Sequence, residues 1–300
     1  MRLCYTWRML PDMAFVEQRL DEQFDSLSPE LQRAARWLRQ NGPAVAVHSM
    51  RQSARLAGVA PVTMTRLARR LGFADFDSLR APYARRLVSG HASPPRRQAT
   101  ARGGSLPAQL GALNAAQIAH VGAVTAHNPA PALQAAAKTL LRAQRVGFLG
   151  QRISHGVAFQ LHYGYGLLAP NGVLLGDAGG TLADQLATFG PGTVLVAISQ
   201  SPYTRSVVEA VARAHQQGAA VVALTDSPLS PIARGAAHTL LYGGGAPALL
   251  HSTCGALALA EALLAAVAHA GGTAVQTHWA QRQRQLALDR AYHESPKDTP

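Results

Sequence analysis

Cysteine is scarce in this chain of 300 residues, which contains only two. Cys4 and Cys254 lie far apart, and neither has a Cys or His neighbour at the spacing of a metal site. This pattern argues against a disulfide scaffold or a zinc site and favours the reducing cytoplasm as the compartment. We therefore expect no metal and no cofactor.

Long apolar runs are also missing, since none approaches the ~18 residues that a membrane-spanning helix needs. Residues 1–13 contain two early arginines but no apolar segment follows them, so we expect neither a secretory signal nor contact with a membrane. We expect residues 1–13 to be disordered, with Met1, Met9 or Met13 as the true start. The length of the chain favours about two domains.

Lysine occurs only at Lys138 and Lys297, so arginine carries almost all of the positive charge. That charge is uneven, because residues 1–110 have a net charge of +9 and residues 111–300 have +3. An arginine-rich composition explains the choice of arginine over lysine, but it does not explain this asymmetry. A basic first third favours nucleic acid or another polyanion as a partner.

Helical spacing and end signals predict an all-helical domain over residues 14–88. Its clearest helix begins at Ser28 as N-cap with Pro29 in the first turn, and apolar residues then repeat at intervals of three and four. Helical segments are predicted at residues 28–40, 43–48, 50–57, 61–71 and 75–87. Residues 89–107 are rich in Pro, Gly, Ser and Arg and are predicted to be a linker.

Residues 49–71 have the proportions of a helix-turn-helix, in which Gly58 permits the sharp turn. A helix in the major groove reads bases from its N-terminal turns, so we expect Thr63 and Arg66 to be exposed and to contact base edges. Arginines nearby are expected to contact phosphates. The predicted DNA-binding residues are Arg55, Pro61, Thr63, Thr65, Arg66, Arg69 and Arg70. The alternative is an ordinary helical pair with a solvated basic face.

From residue 145 onward, short apolar strands alternate with helices, a pattern typical of a parallel sheet covered on both faces. Strands are predicted at residues 146–149, 173–175, 194–198, 220–224 and 238–241. Helices are predicted before them at residues 108–126 and 131–143, and a long apolar helix is predicted after them at 249–270. The predicted fold class is α + α/β, with a three-layer C-terminal domain over residues 108–276 and a helix and tail over 277–300.

Three of the predicted strands end in polar turns, at residues 150–154, 199–201 and 225–231. Ligands of parallel sheets bind beyond the carboxyl ends of the strands, and helix N-termini that follow such turns attract anions. The hydroxyl, backbone N–H and arginine groups of these turns therefore predict a pocket for an anion. The predicted ligand-binding residues are Gly150, Arg152, Ser154, Ser199, Gln200, Ser201, Thr204 and Arg205.

No catalytic residue is predicted. An aldose–ketose isomerase needs a base within hydrogen-bond reach of its substrate. The carboxylates weighed for that role are Asp177, Asp184, Glu209 and Glu261. Helix capping or surface pairing is the favoured interpretation of each, and the scattered histidines form no metal triad by spacing.

Residues 24–87 resemble the N-terminal domain of the RpiR/MurR family of transcriptional regulators. The leucine-serine-proline helix start of that family is present as Leu27-Ser28-Pro29. Residues 58–73 match its motif GVSxxTxxRxxxxLGF, with Ala60 in place of the usual serine, which removes an N-cap at a cost of about 1 kcal/mol. Residues 145–270 resemble the SIS (sugar isomerase) domain, through the three polar turns and their order.

The resemblance implies a cytoplasmic regulator that binds operator DNA and senses a sugar phosphate, and it implies a homodimer or homotetramer because SIS domains usually pair. Two departures make the pocket bulkier: Pro202-Tyr203 replaces a glycine, and Arg152 replaces a second one. Another anion or a carboxylated sugar derivative therefore stays open as the ligand. A sugar-phosphate isomerase, or a sugar-sensing module that acts without binding DNA, also stays open.

Overall fold

The structure, a computed structural model, describes residues 11–88, 105–245 and 251–293. The chain divides into two compact units, Met1–Ala99 and Thr100–Pro300. This division falls inside the predicted linker, most of which lies outside the described ranges. Most of the segment predicted to be disordered, residues 1–13, also lies outside them, although residues 11–13 are described and Met13 begins a helix.

The first unit is built from helices, as predicted. They are α1 (Met13–Gln23), α2 (Pro29–Gln40), α3 (Gly42–Val47), α4 (Met50–Ala57), α5 (Pro61–Arg70) and α6 (Phe76–Val88), with a 3-10 turn at Phe24–Ser26. The sequence did not predict α1, whose apolar signal is short: Val16 and Leu20, four residues apart, are both fully buried. Asp12 begins this helix by accepting a hydrogen bond from the backbone N–H of Phe15 at 2.9 Å.

The turn between α4 and α5 has the geometry that a helix-turn-helix requires. Gly58 ends α4 at a φ of 65°, the left-handed conformation that glycine adopts readily. On the next helix Met64, Leu67 and Ala68 are fully buried, as their spacing predicts. The helices therefore pack through one apolar stripe and leave the opposite side of α5 to solvent.

The second unit alternates strands and helices. Its helices are α7 (Leu106–Gly122), α8 (Val124–His127), α9 (Ala130–Arg142), α10 (His155–Leu168), α11 (Leu182–Leu186), α12 (Arg205–Gln216) and α13 (Cys254–Leu288). Its strands are β1 (Arg145–Gly150), β2 (Gly172–Leu175), β3 (Thr193–Ile198), β4 (Ala220–Thr225) and β5 (His238–Leu241). They form one parallel sheet in the order β2-β1-β3-β4-β5. The predicted fold class is confirmed.

Both faces of this sheet are buried because side chains alternate along each strand. In β3, Val194, Val196 and Ile198 join a core with residues of α9, α10 and α13. Leu195 and Ala197 point to the opposite face and join a second core with α11 and α12. The unit therefore has three layers, and its strands end at edges where polar turns are free to form a site.

The long apolar helix α13 differs from its prediction. The sequence predicts two helices, over residues 249–270 and 277–293, of which residues 246–250 lie outside the described part. The structure has one helix interrupted at Gly272, whose φ of 52° and ψ of −137° are not helical. By length and composition alone, α13 is the one helix in the described residues that could cross a membrane. Its Leu259 and Leu263 are fully buried in the core beneath the sheet, the environment of a core helix in a soluble domain.

The two serine N-caps of the first unit provide a test of local stability. Ser49 caps α4 in a capping box with Gln52, whereas Ser28 at the start of α2 makes no side-chain capping hydrogen bond. We predict that Ser49→Ala destabilises α4 by about 1 kcal/mol, the usual cost of losing such a cap. Hydrogen exchange of peptides covering residues 50–57 in the full chain should then accelerate about fivefold. The matched variant Ser28→Ala should change exchange of α2 much less, and equal effects would contradict the assignment.

Candidate functional site

The strand order places one edge of the sheet as the expected ligand site. The chain runs from β1 outward to β2 and then returns to β3 on the other side of β1, so the crevice between β1 and β3 is a topological switch point. Ligands of open parallel sheets bind there, beyond the carboxyl ends of the strands. Gly150 and Ile198, the last residues of β1 and β3, are paired in register. The first two predicted turns therefore begin side by side.

The turn after β3 is held by hydrogen bonds that link it to a helix and to the next turn. The backbone N–H of Thr204 donates to Oγ of Ser199 at 3.3 Å, which joins the buried serine to the N-terminus of α12. The backbone N–H of Ser201 donates to Oδ2 of Asp226 at 3.3 Å, which joins the β3 and β4 turns. The structure thus brings Ser199, Ser201 and Thr204 together as predicted, at a helix N-terminus that favours anions.

The turn after β1 is tight and leads directly into a helix. A Cβ atom at Gly150 would lie 2.4 Å from the backbone oxygen of Ser154, so this position accepts only glycine. Arg152 has a φ of 55°, a conformation that costs a non-glycine residue of the order of 1 kcal/mol. Its side chain is exposed, while Ser154 is buried immediately before α10. The arginine that replaces a family glycine is therefore accommodated in the glycine conformation.

Three buried polar atoms at this edge of the sheet have no hydrogen-bond partner among the described residues. They are Nε2 of Gln151, Nε2 of Gln200 and Oγ1 of Thr225, which lie at the carboxyl ends of β1, β3 and β4 respectively. Buried polar groups in folded proteins are almost always paired, so a cluster of unpaired ones needs an explanation, and a polar ligand supplies one. The sequence identified Gln200, but it gave no reason to select Gln151 or Thr225.

The segment after β5 closes the site on another side. A Cβ atom at Gly244 would lie 2.3 Å from Oε1 of Gln200, and one at Gly243 would lie 2.5 Å from Cδ2 of His120. His120, in the last turn of α7, is therefore in contact with this segment although the sequence treats it as one of several scattered histidines. Burial raises the pKa of Tyr242, and the carboxylate of Asp226 raises it further, so this phenol is neutral at physiological pH.

The carboxylates considered as catalytic bases do not lie buried in this site. All four are exposed, namely Asp177, Asp184, Glu209 and Glu261. Asp177 accepts a hydrogen bond from the N–H of Leu182 near α11, and Glu261 accepts one from the Gln160 amide. The carboxylate that does reach the site is Asp226, which the sequence analysis did not consider. No group of three potential metal ligands occurs within the described parts of the chain.

The predicted DNA-binding residues of the first unit divide into two groups. Five are exposed: Arg55, Pro61, Arg66, Arg69 and Arg70. The prediction that Thr63 is exposed is wrong, because its side chain is only 8% exposed. Thr63 lies four residues before Leu67 and therefore on the stripe of α5 that packs into the core. Thr65 is half-buried, and its hydroxyl donates to Sδ of Met50 on α4 at 3.1 Å.

Comparisons with known proteins agree with the fold of the second unit. Residues 139–268 match the family model of the SIS domain. The sugar isomerase domain of an RpiR transcription factor from Sphaerobacter thermophilus is 29% identical, with a TM-score of 0.55, and the match covers 60% of this chain and 99% of that one. A comparison with curated protein sequences found no significant match.

Two further solved structures share the fold at lower sequence identity. The NanR protein of Vibrio vulnificus, solved in complex with ManNAc-6P, is 18% identical with a TM-score of 0.56, and the match covers 91% of this chain and 98% of that one. A protein of E. coli CFT073, solved in complex with a sugar phosphate, is 16% identical with a TM-score of 0.50, and the match covers 59% of this chain and 97% of that one.

Proposed function

We propose that this chain, which has the C-terminal SIS domain of RpiR-type regulators, is a DNA-binding transcriptional regulator that senses a phosphorylated or otherwise anionic sugar. The observation that carries the proposal is the tight α4–α5 turn at Gly58, which presents exposed arginines on α5 in a chain that also holds a SIS domain. On this proposal residues 14–88 bind operator DNA, residues 108–276 bind the effector, residues 89–107 link them, and the protein acts in the cytoplasm.

The effector site is proposed to lie between the turns after β1, β3 and β4. The N-terminus of α12 supplies partial positive charge, and the exposed side chains of Arg152 and Arg205 supply full charge to a phosphate or carboxylate. The unpaired amide nitrogens of Gln151 and Gln200 are hydrogen-bond donors suited to sugar oxygens. A sugar phosphate is the class that the NanR and E. coli complexes favour.

A sugar-phosphate isomerase is the less supported function. Such an enzyme requires a base next to the reacting carbon. The carboxylate at the site, Asp226, already accepts the N–H of Ser201, and Glu209 is exposed on α12. We therefore propose that the site binds its sugar without converting it. A regulatory module that acts without DNA is disfavoured by the exposed arginines of α5.

We propose that the regulator is a homodimer or homotetramer that assembles through its second unit. Helix α7 is apolar yet has no buried residue, and its Leu110 and Ile118 are more than half exposed. Phe159 and Tyr163 of α10 are also exposed, at 55% and 50%. Such apolar surface on a soluble chain favours coverage by another copy. A dimer presents two copies of α5 to DNA half-sites about 34 Å apart.

Removal of one hydroxyl from the pocket tests the effector site. We predict that Ser201→Ala reduces the rise in melting temperature caused by sugar phosphates or sugar acids that stabilise the wild-type chain, because a direct contact is lost. A thermal-shift panel of these compounds is the measurement. Thr188→Ala is the control, since Thr188 binds Arg145 at the opposite end of β1. An undiminished shift in Ser201→Ala removes Ser201 from the site.

Removal of one arginine from α5 tests DNA binding. We predict that Arg66→Ala weakens binding to a duplex selected from a random pool by about 1–3 kcal/mol, the value of one base-specific contact. Fluorescence anisotropy at fixed salt measures the loss. Arg80→Ala removes the same charge from α6, where Arg80 pairs with Asp77 at 3.1 Å, and should have a much smaller effect. Similar losses in both variants would reduce Arg66 to a general electrostatic role.

A charge on the exposed apolar surface tests assembly. We predict that Ile118→Glu on α7, or Phe159→Glu on α10, lowers the mass of the protein in solution because the carboxylate is buried unpaired at the interface. Light scattering after size-exclusion chromatography measures that mass. Leu288→Glu, at the exposed end of α13, should leave it unchanged. An unchanged mass in both test variants rejects these helices as the interface.

A further inference from the structure

The first two turns of α5 expose an apolar side chain beside an arginine. Val62 is 55% exposed, and Arg66 is exposed four residues later on the same face of the helix. The core does not need Val62, because Met64, Leu67 and Ala68 already fill the buried stripe of this helix. An exposed valine at the N-terminal end of a recognition helix is instead placed where base edges are read.

The hydroxyl groups on these turns face the protein. Thr63 is buried among the core residues, and the hydroxyl of Thr65 donates to Sδ of Met50 at 3.1 Å. Within Pro61–Arg66, every residue of which the structure describes, Val62 and Arg66 are therefore the exposed side chains that extend beyond the helix backbone and a proline ring. Sequence reading by this segment rests on one apolar and one cationic group.

We propose that Val62 contacts the 5-methyl group of a thymine and that Arg66 binds a guanine on the same half-site. This inference rests on the proposed function, because it requires α5 to enter the major groove. The thymine methyl is the apolar feature of that groove, and arginine pairs with O6 and N7 of guanine. Side chains four residues apart on a helix are about 5–6 Å apart, and base pairs are stacked about 3.4 Å apart. The thymine and the guanine are therefore within two base pairs of each other.

The test uses the full chain and the duplex that it prefers from a random-sequence pool. Each thymine of that duplex is replaced in turn by deoxyuridine, which removes only the methyl group. One replacement in each half-site should weaken binding of the wild-type chain about fourfold, the value of one buried methyl-sized group. Val62→Ala should bind both duplexes equally well, whereas Leu56→Ala, which truncates an exposed leucine on α4, should keep the wild-type preference.

A parallel replacement tests the guanine. Substituting 7-deazaguanine within two base pairs of the sensitive thymine removes the N7 acceptor, and this should weaken binding of the wild-type chain but not of Arg66→Ala. Val62→Thr serves as a second variant that keeps the size of the side chain and replaces one methyl with a hydroxyl. It should reduce the sensitivity to deoxyuridine without changing the melting temperature.

The outcomes separate this inference from the proposed function. Selection of no preferred sequence rejects both. A preferred sequence with no thymine sensitive to deoxyuridine, or equal sensitivity in the wild-type chain and Val62→Ala, rejects the role of Val62 and leaves DNA binding intact. Guanine sensitivity that survives in Arg66→Ala rejects the pairing of Arg66. Loss of both sensitivities in the matching variants supports the proposed pair of contacts.

Discussion

Burial of both faces of the parallel sheet is the constraint on which the second unit depends. Its strands carry apolar side chains in both directions, so polar chemistry has no place on either face and is confined to the ends of the strands. The strand order then selects one end of one crevice, between β1 and β3, where the chain reverses direction across the sheet. Ser199, Ser201 and the turn before Ser154 meet there because the strands that precede them are neighbours.

The same confinement explains why the site contains unpaired polar groups. Gln151, Gln200 and Thr225 are buried by the apolar layers that cover the sheet, while their side chains end at its polar edge. Leaving such groups without partners costs roughly 1–3 kcal/mol each, which a ligand with suitable oxygens offsets. Arg152 adds a second cost through its left-handed backbone. A site that stores such costs is suited to ligand binding more than to fold stability.

Much of this fold was predictable from the sequence, because local spacing determines it. The predicted bounds of α4 and β5 match the structure, and β3 differs by one residue. Helix α1 was missed because Val16 and Leu20 are a short apolar signal next to a segment without one. The exposure of Thr63 was predicted wrongly, although its distance of four residues from Leu67 carried the information. Spacing along one helix thus explains both the successes and this error.

The composition of the site was only partly predictable, because it depends on contacts between distant segments. Ser199 and Thr204 lie five residues apart and were identified as a pair. Asp226 and His120 reach the same edge from other strands and helices, and no local pattern selects them over other aspartates and histidines. Their inclusion follows from the strand order, which adjacent residues do not encode.

The central claim is that effector and DNA bind one protein and influence each other. The most direct measurement is the affinity of the full chain for its selected duplex, with and without a saturating concentration of the sugar anion that raises its melting temperature. A regulator of this kind changes its DNA affinity on binding the effector, and by linkage DNA changes the effector affinity by the same factor. Equal DNA affinities with and without the bound effector would contradict the claim.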